Sequence, residues 1–160
     1  MQSIITENAK ETQRIAGKLA EKFIQKKSKT ALILALEGEL GAGKTTFTKG
    51  FSKALGIKEK VLSPTFVLIH KHKIHTQHST FNTLYHIDAY RLNSEKDLLK
   101  LEIKEIFADP KNIALLEWAD RVKKIVPKNA VWIHFKYIDP EAEPSVRYGA
   151  GKNKRRVTIK

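Results

Sequence analysis

The stretch Thr30-Ala-Leu-Ile-Leu-Ala-Leu36, followed after one glutamate by Gly38-Glu-Leu-Gly-Ala-Gly-Lys44-Thr45, decides the fold. Its first half is a continuous apolar run closed by a glycine-rich turn. A strand covered on both faces has this composition, because neither face meets water, and it points to a parallel sheet. Its second half matches the spacing G-x-x-x-x-G-K-[ST] without a substitution. Glycines let the backbone curl until its N–H groups converge on phosphate oxygens. The following residues predict a helix over Lys44–Leu55, stopped by Gly56, whose N-terminus adds positive partial charge to the same point. Lys44 is spaced to reach terminal phosphates, and the Thr45 hydroxyl to complete the shell of a Mg²⁺ ion. A chance glycine-rich turn would have no reason to sit between a buried strand and a helix.

On the N-terminal side, Asn8 and Glu11 have the spacing of a capping box, and Ile15, Leu19 and Phe23 follow at helical intervals. A first helix is predicted over Ala9–Gln25, closed by the basic run Lys26–Lys29, which suits its C-terminal dipole. On the C-terminal side, Val67–Ile69 and Leu84–Ile87 are short strand candidates, and the polar stretch His70–Asn82 between them reads as a hairpin or a surface loop. Ser94 caps a helix carrying Leu98, Leu99 and Leu101 and continuing toward Ile106 and Phe107. Ile113–Leu116 is a further buried strand. Val131–Ile138 and Arg155–Ile159 form a late antiparallel pair joined by a basic loop containing Pro and Gly. No internal repeat or long linker divides the chain. The expectation is one domain over residues 1–160, of α/β class: a P-loop NTPase-like, mostly parallel sheet flanked by helices, with a C-terminal antiparallel hairpin.

Composition narrows the chemistry. A 41% apolar share with all three aromatic types supports a packed core over disorder. The absence of cysteine removes disulfides, zinc–thiolate sites and thiol catalysis, and suits a reducing cytosol. The opening MQSIITENAK has acids and amides where a signal peptide needs an apolar run, and no apolar stretch approaches the ~20 residues of a membrane span, so a cytoplasmic protein without membrane contact is expected. The formal charge of +13 has two readings: an anionic partner, nucleic acid first, or a lysine-rich composition that decorates every surface alike.

Magnesium in such sites takes one or two carboxylates besides phosphates and water, from the C-terminal ends of parallel strands. Glu117 ends Ile-Ala-Leu-Leu and Asp88 ends Leu-Tyr-His-Ile, so either could bind the ion, bind it through water, or orient an attacking water. Either could instead cap a loop or pair with Arg91 or Arg121. Ser63-Pro64-Thr65 reads equally as a γ-phosphate-sensing loop or an ordinary turn. Trp118 stands at the mouth, to cover a base, meet a partner or pack in the core. His70, His72, His75 and His78 do not converge on one face of one element and read as solvated loop residues rather than metal ligands. The terminal run GKNKRRVTI is a basic hairpin that could touch RNA, nucleotide phosphate or only solvent.

Taken in order, LEGELGAGKTT at 36–46, SPTF at 63–66, LYHIDAYRL at 84–92 and LLEWADR at 115–121 resemble the TsaE (formerly YjeE) family, ATPases needed for bacterial threonylcarbamoyladenosine biosynthesis on tRNA. The likeness spans about residues 8–160. The phosphate loop is common to many NTPases; the HxDxYR and LxEW blocks are more specific. The loop at 70–82 is longer and more basic than the family pattern, and the 139–154 hairpin is extended. The resemblance implies slow hydrolysis of ATP with Mg²⁺, beside the partner proteins TsaD and TsaB, with tRNA contact through the basic surface an open possibility. It implies a nucleotide cradle of Gly38, Glu39, Leu40, Gly41, Ala42, Gly43, Lys44, Thr45 and Thr46, joined by Thr12 from the first helix and Arg155 from the closing hairpin. It puts Thr45 and Glu117 on the metal, and gives Lys44, Asp88 and Glu117 the catalytic roles. Three other readings compete. A small-molecule kinase would use the same loop with an acceptor pocket and base. A GTPase lacks here its Asp-x-x-Gly and Asn-Lys-x-Asp. An RNA-binding module rests on charge alone.

Overall fold

The structure is a computed structural model that describes residues 2–76, 79–92, 94–138 and 154–160. His78 and the hairpin loop 139–153 lie outside the described residues. The apolar run becomes strand β2 (Leu32–Gly38), every residue of which is buried up to Leu36. It is paired in parallel with β5 (Asn112–Glu117) on one side and β6 (Val131–Tyr137) on the other, and β4 (Thr83–Asp88) lies parallel to β5. Antiparallel strands flank this parallel centre: β3 (Ile69–Lys73) beside β4, and β7 (Arg155–Ile159) then β1 (Gln2–Thr6) beyond β6. The sheet order is β1-β7-β6-β2-β5-β4-β3.

Helices cover both faces, as a parallel centre requires. α1 (Ala9–Phe23) and α2 (Lys44–Ala54) pack with Leu32, Leu34, Leu36, Ile113 and Leu115 on one face. α3 (Glu95–Leu99), α4 (Ile103–Ala108) and a 3₁₀ helix (Ala119–Ile125) pack with Ile33, Ala35, Ala114 and Leu116 on the other. Alternate residues of one strand thus feed two separate apolar clusters. Register aligns the C-terminal ends: Leu36 and Asp88 both stand opposite Glu117. Among the described residues no helix is long and apolar enough to cross a membrane.

Local signals explain most boundaries. Asn8 caps α1 by accepting from the Glu11 N–H at 2.9 Å, and the Glu11 carboxylate turns back to the Glu7 N–H at 2.8 Å. The helix ends at Phe23, ahead of the predicted Gln25. The strand expected at Val67–Ile69 begins only at Ile69, because the Val67 and Leu68 N–H groups both turn onto the Pro64 carbonyl and Leu68 takes φ 65°. The His-rich stretch then supplies β3, so it is a hairpin, and His70 and His72 are half-buried strand residues rather than solvated loop residues. The helix expected from Ser94 through Phe107 is broken at Glu102 (φ 53°), which separates α3 from α4. Neither β1 nor the 3₁₀ helix was expected.

Candidate functional site

The loop between β2 and α2 closes on itself. Gly43 takes φ 108°, a conformation that favours glycine, and a Cβ there would stand 3.1 Å from Arg155 Cδ and Nε. Lys44 is almost wholly buried at 4% exposure, and its Nζ donates to the Gly38 carbonyl at 2.7 Å and the Glu39 carbonyl at 2.9 Å. The same Nζ lies 3.7 Å from the centre of the Trp118 ring. Burial holds the Lys44 ammonium below the ordinary lysine value; the carboxylates of Glu117, Asp120, Asp88 and Glu39 offset part of that desolvation. An anion entering the loop would favour the charged form further.

Two carboxylates stand at the adjacent strand ends, both buried at 2% exposure. Glu117 Oε2 accepts from Thr45 Oγ1 at 2.9 Å, while its Oε1 accepts from His86 Nε2 at 2.8 Å and Thr48 Oγ1 at 3.3 Å. Asp88 Oδ2 accepts from both Ser63 Oγ (2.8 Å) and Thr65 Oγ1 (2.6 Å), and its Oδ1 from the Tyr90 N–H at 2.9 Å. The Ser-Pro-Thr turn is therefore tied to the strand end by its two hydroxyls. A paired hydroxyl and carboxylate offering hard oxygen donors within 2.9 Å of each other suit Mg²⁺ better than a softer metal.

These groups line one cavity of about 530 Å³. Of the residues expected to form the site, Leu40, Gly41, Gly43, Lys44, Thr45, Thr46, Asp88, Glu117 and Arg155 line it, together with Ser63, Thr65 and Trp118. Gly38 and Glu39 contribute carbonyls to Lys44 from behind the loop, and Ala42 is buried beneath it. Thr12 is not brought to the wall. It is fully buried, with its hydroxyl 3.0 Å from Thr6 Oγ1 and donating to the Asn8 carbonyl at 3.2 Å, and Ala9 occupies the wall from the same helix. Trp118 adopts φ 58° directly after Glu117, which turns its ring over Lys44 and beside Tyr90, 5.0 Å between centroids. Trp118 thus lines the cavity and packs against the second apolar cluster.

Besides Lys49 and Tyr90 on the cavity wall, sequence reading missed three residues that brace the site. His86 is buried and precedes Asp88 by two residues, so it shares its strand face. Thr48 lies one helical turn beyond Lys44, which points it back at Glu117. Tyr137, at the end of β6, donates its hydroxyl to the Gly41 carbonyl and pins the loop from outside. Strand and helix periodicity could have found the first two; Tyr137 is placed by a pairing between β2 and β6 that no local pattern announces.

Comparison with known proteins adds a family to this geometry. A family model described as "Threonylcarbamoyl adenosine biosynthesis protein TsaE" matches residues 6–144. A Bacillus subtilis tRNA threonylcarbamoyladenosine biosynthesis protein TsaE is 40% identical over 131 residues, covering 82% of this chain and 75% of that protein. The protein of the same description from Treponema pallidum is 32% identical, covering 84% and 90%. A crystal structure titled as Bacillus subtilis YdiB superposes with a TM-score of 0.68 at 31% identity, over 99% of this chain and 83% of that one. With a family match across most of its length and a closely similar solved fold, the chain belongs to the TsaE family of tRNA threonylcarbamoyladenosine biosynthesis proteins.

Proposed function

We propose that this chain is a single-domain cytoplasmic ATPase that binds ATP with Mg²⁺ in the loop at 38–46 and hydrolyses it slowly in support of tRNA threonylcarbamoylation. The observation that carries the reading is the contact of Thr45 Oγ1 with Glu117 Oε2 at 2.9 Å, at the N-terminus of α2 and beside Lys44. In this reading the loop amides and Lys44 hold the β- and γ-phosphates. Thr45 and Glu117 hold the metal, which when bound neutralises charge on the phosphate oxygens. Asp88, fixed by Ser63 and Thr65, orients the attacking water. Arg155, above Gly43, adds positive charge on the open side. TsaD and TsaB are the proposed protein partners, and the basic surface is open to tRNA.

The test is direct. Lys44→Ala abolishes ATP turnover, and Glu117→Ala or Asp88→Ala lowers it by at least about 10²-fold, as loss of a preorganised charge partner does. Normal turnover in all three variants would refute the assignment. Pull-down with TsaD and TsaB in ATP, in ADP and without nucleotide tests the partners: association must depend on the nucleotide.

A further inference from the structure

The positive charge is not spread evenly. Segments 8–29 and 45–60, which hold α1, most of α2 and their following loops, carry eleven Lys and Arg against three Asp and Glu, and all eleven are exposed. Segment 94–125, which holds β5 and the helices on the opposite sheet face, carries seven of each. A composition that coated every surface alike would not divide in this way.

The arrangement within the basic layer is regular. Lys10, Arg14, Lys18 and Lys22 recur every fourth residue along α1, a row of about 18 Å at 1.5 Å per residue. In α2 the exposed residues are Lys49 and Lys53, again four apart, Lys49 also standing on the cavity wall. The two helices pack closely, with Gly17 against Ala54 and Gly50 against the backbone of Gln13, so the two rows run on one layer. None of these six side chains is in an ion pair among the described residues. The exposed large apolar side chains, Phe66, Val67, Leu62 and Leu40 among them, all lie outside both helices.

We infer that the outer face of α1 and α2 is a docking surface for the phosphate backbone of RNA. A protein partner would need an apolar or aromatic centre, and this face has none. A membrane surface would be bound best by an amphipathic helix with its apolar side outward, and the apolar side of α1 is buried in the core. Unpaired cations in rows, without a stacking platform, fit a regular polyanion held through its phosphates and not through its bases. Naming RNA over other polyanions rests on the function proposed above; the charge asymmetry does not.

The experiment is fluorescence anisotropy of a labelled, unmodified tRNA transcript with the full chain, across 50–300 mM KCl. The expected result is binding whose log–log salt slope is about −4 to −5 for six phosphate contacts. The triple variant Lys18→Glu, Lys22→Glu, Lys53→Glu loses at least about tenfold in affinity at 100 mM salt and flattens the slope by about 2, while its circular dichroism and ATP turnover stay at wild-type levels. Lys44→Ala keeps tRNA binding, so failure of the nucleotide reading and failure of this one are distinguishable. Equal affinity in wild type and triple variant, or binding to phosphatidylserine vesicles in place of tRNA, would overturn the inference.

Discussion

Glu117 is held from three sides, and its two oxygens have different work. Oε1 faces inward to His86 and Thr48, both fully buried; Oε2 faces Thr45 and the cavity. A carboxylate only accepts, so His86 Nε2 carries the proton and its Nδ1 is left buried without a partner among the described residues. That arrangement fixes the carboxylate plane and presents one oxygen outward. His86 is thus a positioning residue for Glu117. If Glu117 holds the metal as proposed, His86→Ala should weaken Mg²⁺-dependent nucleotide binding by about 10–100-fold, the usual cost of losing a group behind a metal ligand. His86→Gln, which keeps an N–H donor, should recover part of it. The measurement is a Mg²⁺ titration against a fixed concentration of fluorescent ATP analogue; an unchanged Mg²⁺ midpoint in the alanine variant would remove His86 from the site. Lys44, Thr45, Asp88 and Glu117 were legible in the sequence because motif spacing and strand ends identify them. His86 was passed over although its spacing of two from Asp88 puts it on the same strand face; only the contact with Glu117 across the sheet gives that position its role.

At the level of elements, α1 and α2 meet through two glycines with opposite tolerance. A Cβ on Gly50 would collide with the Gln13 backbone, which cannot swing aside as a side chain could, whereas one on Gly17 would meet Ala54 Cβ at 3.8 Å, an ordinary contact. Gly50→Ala should therefore destabilise the fold by about 3 kcal/mol through overpacking. Gly17→Ala should stabilise it by up to about 1 kcal/mol through helix propensity. Urea unfolding of both variants checks the pair, and equal shifts would contradict the packing. Strand β3 gives a pH dependence. Burial lowers the proton affinity of His72 below the ordinary value of 6.5, and the exposed Glu59 carboxylate 4.0 Å away offsets only part of this. The unfolded chain therefore binds more protons in the window below 6.5, and stability falls as pH drops through it. His72→Leu should flatten the slope of unfolding free energy between pH 7 and 5; a slope as steep as wild type would place the acid sensitivity elsewhere. A hairpin was one of two readings open for this stretch, and the burial of His72 was not legible, because polar β3 is held by pairing with β4 at the sheet edge. β1 was hidden for a similar reason: its partner β7 is about 150 residues away, and Gln2–Thr6 is too short to show a period.

Across the whole molecule, one sheet supports both apolar clusters, and the cavity draws on four of its strands and on the helical layer of α1 and α2. α2 brings Lys44 and Thr45, β4 brings Asp88, β5 brings Glu117, and β7 brings Arg155 from the far end of the chain. The α/β class was legible because strand β2 and the loop after it dictate a covered parallel centre. Of the antiparallel edge strands, β7 was legible as the second half of a late hairpin with β6, whereas β1 depends on closure with a strand about 150 residues away, which local pattern does not encode. A site assembled from so many elements ties ligand binding to global stability, because separating the sheet from α1 and α2 dismantles it. A ligand at 100 times its dissociation constant stabilises the native state by about 2.7 kcal/mol. For a chain of 160 residues that corresponds to a rise in Tm of roughly 5–11 °C. Calorimetry in Mg²⁺ and ATP should show one transition moved as a unit, with calorimetric and van't Hoff enthalpies equal. Lys44→Ala should keep the single transition and lose the shift. A second transition that stays in place when nucleotide is added would mean that part of the chain folds apart from the site, and the single-domain reading would fall with it.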